Sequence, residues 1–357
     1  MGILHIVMSA AVIAVVFGLL ILVHEIGHFI AARRIGVRVE KFALGWGKKL
    51  FGIKRGDTEY VLNLIPIGGY VKLAGEDPGE RNGAPDELMS KSAGKRFWVF
   101  ASGSAFNYIF GFLVFVLLYG IGVNRPIADV GSVIEDSPAA KAGIIAGDVI
   151  TSADGKPVKY LDELVSIVDS TEEGSPVNVT IERGGRPMNI VIPETMTLGG
   201  KFMGQRIIGI RPSGKAAIFK AGFPGAFVYA GRTVYNFTVG TYRGIWLMIT
   251  KKMPVKGNMG GPIKIIDILA KAVKEGIRAV LSITGIISLA LAIFNMLPFP
   301  VLDGGHILFL GIEKLMRRPV NEKTQEVISQ VAVVLLIMFV LYVSYFDTLS
   351  VVHNIKK

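Results

Sequence analysis

The sequence predicts an α-helical polytopic membrane protein with four transmembrane helices, a membrane-associated β region and an inserted α+β domain. Three observations carry this. Of 357 residues, 51% are hydrophobic and 19% charged, which is more apolar surface than a soluble core of this length needs. Four charge-poor runs, residues 3–32, 97–123, 279–302 and 327–346, are each long enough to cross about 30 Å of hydrocarbon. Between them lie short stretches with the two-residue period of strands, punctuated by Gly and Pro.

The first element, residues 1–33, is a span that ends in His24-Glu25-Ile26-Gly27-His28. Residues four apart share a helix face, so both imidazoles can grip one Zn²⁺ while Glu25 is placed to act on water beside it. An ionisable group costs at least ~2.5 kcal/mol at mid-span, so three within five residues call for a compensating partner such as a metal. The run is not a cleavable signal peptide. It lacks a basic leading region and a clear small-residue cleavage site, and it contains the metal motif itself.

Residues 34–96 follow as a β region and loop. Segments 41–47 and 60–73 read as strands, and Tyr60, Leu62 and Leu64 alternate. The two arms around Pro66 to Gly69 are expected to pair as a hairpin. Residues 76–87, polar and holding Pro78 and Pro85, read as a loop. The second span is 97–123. Arg33, Arg34, Arg38, Lys41, Lys95 and Arg96 border this interval, and Lys314, Arg317, Arg318 and Lys323 precede the last span, so both connections are expected in the cytoplasm. The net charge of +11 is then topogenic and lipid-facing, and no nucleic-acid partner is implied. The absence of cysteine removes disulfides and Cys-based metal sites.

Residues 127–211 are expected to form a compact outer domain. A strand at 130–134 leads into a short helix capped at Ser137-Pro138, a Gly147-Asp148 turn and a second strand. A helix at 161–169 and a hairpin of 177–183 with 188–193 about Gly184-Gly185 come next, then a short strand at 207–210. Residues 212–276 read as two amphipathic interfacial helices. In the first, Arg232, Asn236, Gly240 and Arg243 share a sector opposite Val228, Val234, Trp246 and Ile249, which suits a helix on the outer leaflet better than a fifth span. Residues 254–261 break it, and 262–274 form the second.

The third span, 277–303, closes on Asn295-Met296-Leu297-Pro298-Phe299-Pro300-Val301-Leu302-Asp303-Gly304-Gly305. Two prolines stop regular helix hydrogen bonding, and irregular backbone at that depth must be buried or line a cavity. Asp303 emerges at the end to which the first span brings His24 and His28. Two His and one carboxylate leave the fourth Zn²⁺ position open, the pattern of a catalytic rather than structural zinc. His306, three residues on, competes as a ligand, as a donor to a ligand or as cavity lining, and Asp303 is preferred. Residues 304–326 form a cytoplasmic connection and 327–350 the fourth span.

HExxH on the first span and NxxPxPxLDGG on the third are similar to the paired signatures of the site-2 protease family of intramembrane metalloproteases. The chain resembles its bacterial branch, typified by the regulator of sigma-E protease, with residues 34–96 resembling the family's β region and 127–211 a single PDZ domain. The resemblance implies a zinc endopeptidase of the bacterial inner (cytoplasmic) membrane, with its active site toward the cytoplasm and its PDZ domain outside. His24, His28 and Asp303 would hold zinc, Glu25 would act as general base and acid, and Asn295 would contact the substrate backbone or the oxyanion. Implied substrates are single-span membrane proteins, a trimmed anti-sigma factor or remnant signal peptides, and the PDZ domain would take a peptide. A catalytically inactive membrane PDZ receptor or scaffold is the alternative class. Loss of a ligand or of Glu25 would favour it, and neither is lost.

Overall fold

The computed structural model, described over residues 3–172, 174–197, 206–255, 259–318 and 320–355, places a helix within each charge-poor run, the third ending early at Asn295. In chain order the helices are α1 (Ile3–Arg34), α2 (Ala93–Ile121), α3 (Pro138–Lys141), α4 (Leu161–Ser170), α5 (Phe223–Ile249), α6 (Pro262–Glu275), α7 (Ile277–Asn295), α8 (Asp303–Met316) and α9 (Glu322–Ile355). Four of them, α1, α2, α7 and α9, are long and apolar enough to cross a membrane. The chain divides into two units, residues 1–118 with 223–245 and 259–357, and residues 119–222 with 246–258.

In the first unit the spans pack through small, branched contacts. Val16 and Leu20 of α1, Ile287 of α7 and Leu269 of α6 form one buried cluster. Enclosing Leu269 completely is worth about 1.5–3 kcal/mol wherever water is the alternative. Both amphipathic helices pack on neighbouring helices. Leu269 meets α1 near its middle, and Asp347 of α9 accepts a hydrogen bond from the Lys264 amide at 3.1 Å, capping the first turn of α6 from a neighbouring helix. Helix α5 runs along α2, with Phe227 against Phe112 at 6.0 Å between ring centroids and Thr238 Oγ1 donating to Tyr108 Oη at 3.4 Å.

The β region differs from the expected hairpin. Strands β1 (Val39–Arg55) and β2 (Thr58–Leu73) both bend, and the tight turn between them is at Gly56-Asp57. The arms on either side of Pro66 to Gly69 do not pair with each other. Residues 41–44 lie between them, pairing with 59–62 in ascending register on one side and with 69–72 in descending register on the other. Residues 49–55 then cover the far side of 58–63. The first arm is therefore enclosed on both sides, while among the described residues 69–73 is paired on one side only. The reason is that Gly68, with φ of +98°, turns the chain over the end of β1 instead of folding the arms face to face.

The second unit is built as the strand pattern predicts. Strand β3 (Val123–Pro126) precedes β4 (Val130–Val133), and Ser137 caps α3 by accepting from the Ala140 amide. Strands β5 (Val149–Ala153), β6 (Lys156–Pro157), β7 (Val177–Arg183) and β8 (Arg186–Ile192) form a sheet in the order β6-β5-β7-β8. Gly184 and Gly185, both at positive φ, make the β7–β8 turn. Short strands β9 (Met196–Thr197), β10 (Arg206–Ile207), β11 (Ile210–Pro212) and β12 (Ala216–Phe219) close the unit, with β11 on β4 and β12 on β3. Residues 198–205 of the expected 127–211 domain lie outside the described residues. The core is Ala128, Val130, Ile150, Leu164, Val177, Ile181 and their neighbours, sealed between sheet and α4.

Candidate active site

Helix α1 continues unbroken through its polar end, and the i, i+4 spacing turns His24 and His28 to one face. Their Nε2 atoms stand 3.2 Å apart. The chain leaves α7 at Asn295, and Pro298 and Pro300 hold it out of helix until Leu302 caps α8. Asp303, expected at the tail of the third span, instead opens α8, where the positive end of the helix dipole favours a carboxylate. Gly304 and Gly305 allow this, because a Cβ on either would collide with main-chain atoms of Met296–Leu297 and Phe299–Pro300. One carboxylate oxygen of Asp303 lies 3.4 Å from His24 Nε2, and the other 3.5 Å from His28 Nε2.

These three side chains are the one group of ligand-type residues among the described residues whose donor atoms converge, all within 4.8 Å of one another. The separations fit zinc. Bonds of about 2.0–2.1 Å at tetrahedral angles put neighbouring ligand atoms ~3.3 Å apart. A second observation agrees with the donor set. Gly103 of α2 faces the pair so closely that a Cβ there would overlap His28 Nε2 and lie 2.7–2.8 Å from His24 Cε1 and Nε2, so its hydrogen keeps open the space beside the nitrogens.

Helix α2 supplies the rest of the surroundings, which sequence reasoning missed. His28 Nδ1 meets the Val99 carbonyl at 2.8 Å, Ser104 Oγ donates to Asp303 at 3.5 Å, and the Asn107 carboxamide lies 3.4 Å from His24 Nδ1. Gly27 and Ser102 bring the two helices into backbone contact, leaving no room for a Cβ at 27. The signal was present as small and polar residues at 102, 103, 104 and 107, one face of an otherwise apolar span.

Glu25 points elsewhere, toward β2. Gly69 packs so near that a Cβ there would lie 3.3 Å from Glu25 Cγ. The singly paired 69–73 segment thus runs beside the acid. Asn295 is the last residue of α7 and is partly exposed. His306 is apart from the cluster of His24, His28 and Asp303. Its ring stacks on Phe100 at 4.7 Å and 13°, and lines a cavity of about 80 Å³ with Arg96 and Glu313, themselves ion-paired at 2.9 Å. Of the three roles open to His306, this placement suits cavity lining.

The model of peptidase family M50 matches residues 12–339. A provisionally named zinc metalloprotease of Campylobacter jejuni is 32% identical over 339 residues, covering 93% of this chain and 91% of its own. The regulator of sigma-W protease RasP of Bacillus subtilis is 26% identical over 416 residues, covering 93% and 96%. Among solved structures, the PDZ domain of an SdrC-like protein from Listeria monocytogenes is 30% identical and covers 25% of this chain and 90% of its own, with a TM-score of 0.22.

Proposed function

The chain belongs to peptidase family M50 and is a zinc metalloprotease, and from that premise we propose that it cleaves the transmembrane segments of single-span proteins within the bilayer. The observation that carries the reading is the convergence of His24, His28 and Asp303 beside Glu25 at the end of an apolar helix. In this reading those three residues hold zinc. When bound, the metal supplies a Lewis acid that makes water nucleophilic near neutral pH and polarises a carbonyl. Glu25 takes the proton of the attacking water and returns it to the leaving nitrogen. Asn295 contacts the substrate backbone or the developing oxyanion.

A transmembrane helix hides its peptide bonds in its own hydrogen bonds, so a substrate must unwind to be cut. The N–H and C=O groups it frees are costly to leave unpaired. Segment 69–73 offers an unpaired strand edge beside Glu25, and adding the scissile stretch to it satisfies them. Substrates with helix-breaking residues are then preferred. By family resemblance they are an anti-sigma factor already trimmed outside the membrane, or remnant signal peptides.

The flanking Lys and Arg residues support an inner-membrane orientation with the metal site toward the cytoplasm and residues 127–211 outside as a PDZ domain taking peptides. Helices α5 and α6 would guard substrate entry. The test compares cleavage of one apolar span bearing a short or a bulky outer domain, by the full enzyme and by a form lacking 127–211. Cleavage confined to the short form by the full enzyme, and abolished by Glu25→Gln, is expected. Equal cutting of both substrates by both enzymes overturns the filter, and undiminished cutting by Glu25→Gln overturns the mechanism.

A further inference from the structure

We propose that Asn107 is a positioning residue of the metal site, its side-chain oxygen accepting the Nδ1–H of His24 and thereby fixing the tautomer that frees Nε2 for the metal. The inference rests on the reading of His24, His28 and Asp303 as ligands.

Asn107 is completely buried in the middle of α2. A carboxamide there is expensive unless it is used. Its main chain is already engaged, since Ser288 Oγ of α7 donates to the Asn107 carbonyl at 2.8 Å, and any residue at 107 would provide that contact. Among the described residues the side chain has one hydrogen-bonding neighbour, His24 Nδ1 at 3.4 Å, while Oδ1 is buried with no hydrogen-bond partner. A polar side chain that nothing structural requires is thus aimed at one atom of a ligand.

The chemistry of that atom decides the orientation. His24 directs Nε2 at His28 and Asp303. Donating a lone pair from Nε2 puts the imidazole hydrogen on Nδ1, which then needs an acceptor. With NH₂ facing Nδ1 the carboxamide cannot serve; turned 180° about Cβ–Cγ it places Oδ1 there, in nearly the same volume. One end of the amide stays unpaired either way, so the Nδ1–H selects which.

The same arrangement serves His28, whose Nδ1 meets the Val99 carbonyl. Val99 and Asn107 lie two turns apart on one face of α2, and each addresses one imidazole. The Val99 carbonyl also accepts from Ser102 Oγ at 2.6 Å, so one imidazole is addressed by the main chain of α2 and the other by a side chain. Removing such a partner from a ligating His costs roughly 10–100-fold in metal affinity.

The experiment uses the full chain in detergent micelles, stripped of metal and titrated with Zn²⁺ against a chromophoric chelator, with the Co²⁺ d–d spectrum as a second readout. Wild type, His24→Ala, Asn107→Leu and Asn107→Asp are compared. Asn107→Leu should bind zinc roughly 10–100-fold more weakly and shift the Co²⁺ bands, whereas Asn107→Asp, an obligate acceptor, should bind at least as tightly as wild type. Zinc held by wild type, lost from His24→Ala and held undiminished by Asn107→Leu overturns this inference alone. Should the leucine variant not fold, Asn107→Asp decides, and a tenfold loss there overturns the acceptor role. Zinc retained in full by His24→Ala overturns the ligand reading and this inference with it.

Discussion

Gly103 of the second span lies against His28 of the first with no space between them for a methyl group. The consequence is testable by the smallest substitution available. Gly103→Ala adds one carbon at the place where the imidazole nitrogens converge, on a helix that alanine favours by about 1 kcal/mol over glycine. Zinc content of the purified protein should fall several-fold or more while the helical circular dichroism holds. An alanine variant with full zinc would mean that α1 and α2 separate easily, and that the glycine serves helix packing only.

Separate variants distinguish holding the metal from using it. His24→Ala, His28→Ala and Asp303→Ala should each lower zinc occupancy measured by elemental analysis. Glu25→Gln should keep zinc and lose about 10²–10⁴-fold in turnover. His306→Ala should also keep zinc, because its ring rests on Phe100 rather than among the ligands. If His306→Ala loses metal as completely as Asp303→Ala, the third ligand has been misassigned.

Strand order sharpens the test of substrate binding. Proline within 61–62 removes amides from an arm that is paired on both sides, so it should damage the sheet itself. Proline at Val71 acts on the singly paired edge, which runs beside Glu25 at Gly69. Val71→Pro should therefore retain expression and zinc yet cut a model single-span substrate at least tenfold more slowly. Cleavage at the normal rate would place the clamp elsewhere, with Asn295 the next residue to examine.

In the second unit the pair to perturb is Asp148 and Arg183. The guanidinium donates to both carboxylate oxygens at 2.7 and 2.8 Å, and the Ile145 amide adds a third bond at 2.9 Å. Arg183 beside it holds the Asp148 carboxyl below its ordinary range. A carboxyl whose pKa is lower folded than unfolded adds stability in full above the unfolded value of about 3.9, and loses it as pH falls through the folded value. Melting of this unit should accordingly drop below about pH 4. Asp148→Asn should lower its stability by about 1–3 kcal/mol at pH 7 and flatten that acid limb. An unchanged acid limb in the variant would exclude the pair as its source.

What the sequence reveals follows the range of the interactions. The i, i+4 histidines and the paired prolines are local signals, and both led to the right neighbourhood. Asp303, which the structure brings beside His24 and His28 across 275 residues of sequence, stood out because ionisable residues are costly in apolar spans and few are present. Gly103 and Asn107 were missed for the converse reason, since glycine and one asparagine in a span are ordinary features of helix packing. The β region failed at its pairing. Residues 60–65 and 70–73 each have strand character, but the partner between them, 39–46, lies earlier in the chain, and alternation alone carries no information about which edge a strand chooses. Likewise, amphipathicity located α5 and α6 without naming the helices they pack on, because a face that suits a lipid boundary also suits a neighbouring helix.

The division of the metal cluster between α1 and the start of α8 also imposes an order in time. The sheet of residues 39–73 is contiguous in sequence and can form as soon as it leaves the ribosome, whereas Asp303 is synthesised some 275 residues after His28. At 5–20 residues per second that interval is roughly 15–55 s. During it the nascent chain already carries both imidazoles and Glu25 but lacks the Asp303 carboxylate. If His24, His28 and Asp303 hold zinc as proposed, the protease is born inert and acquires its cutting power only when the last third of the polypeptide has been made and α8 has docked.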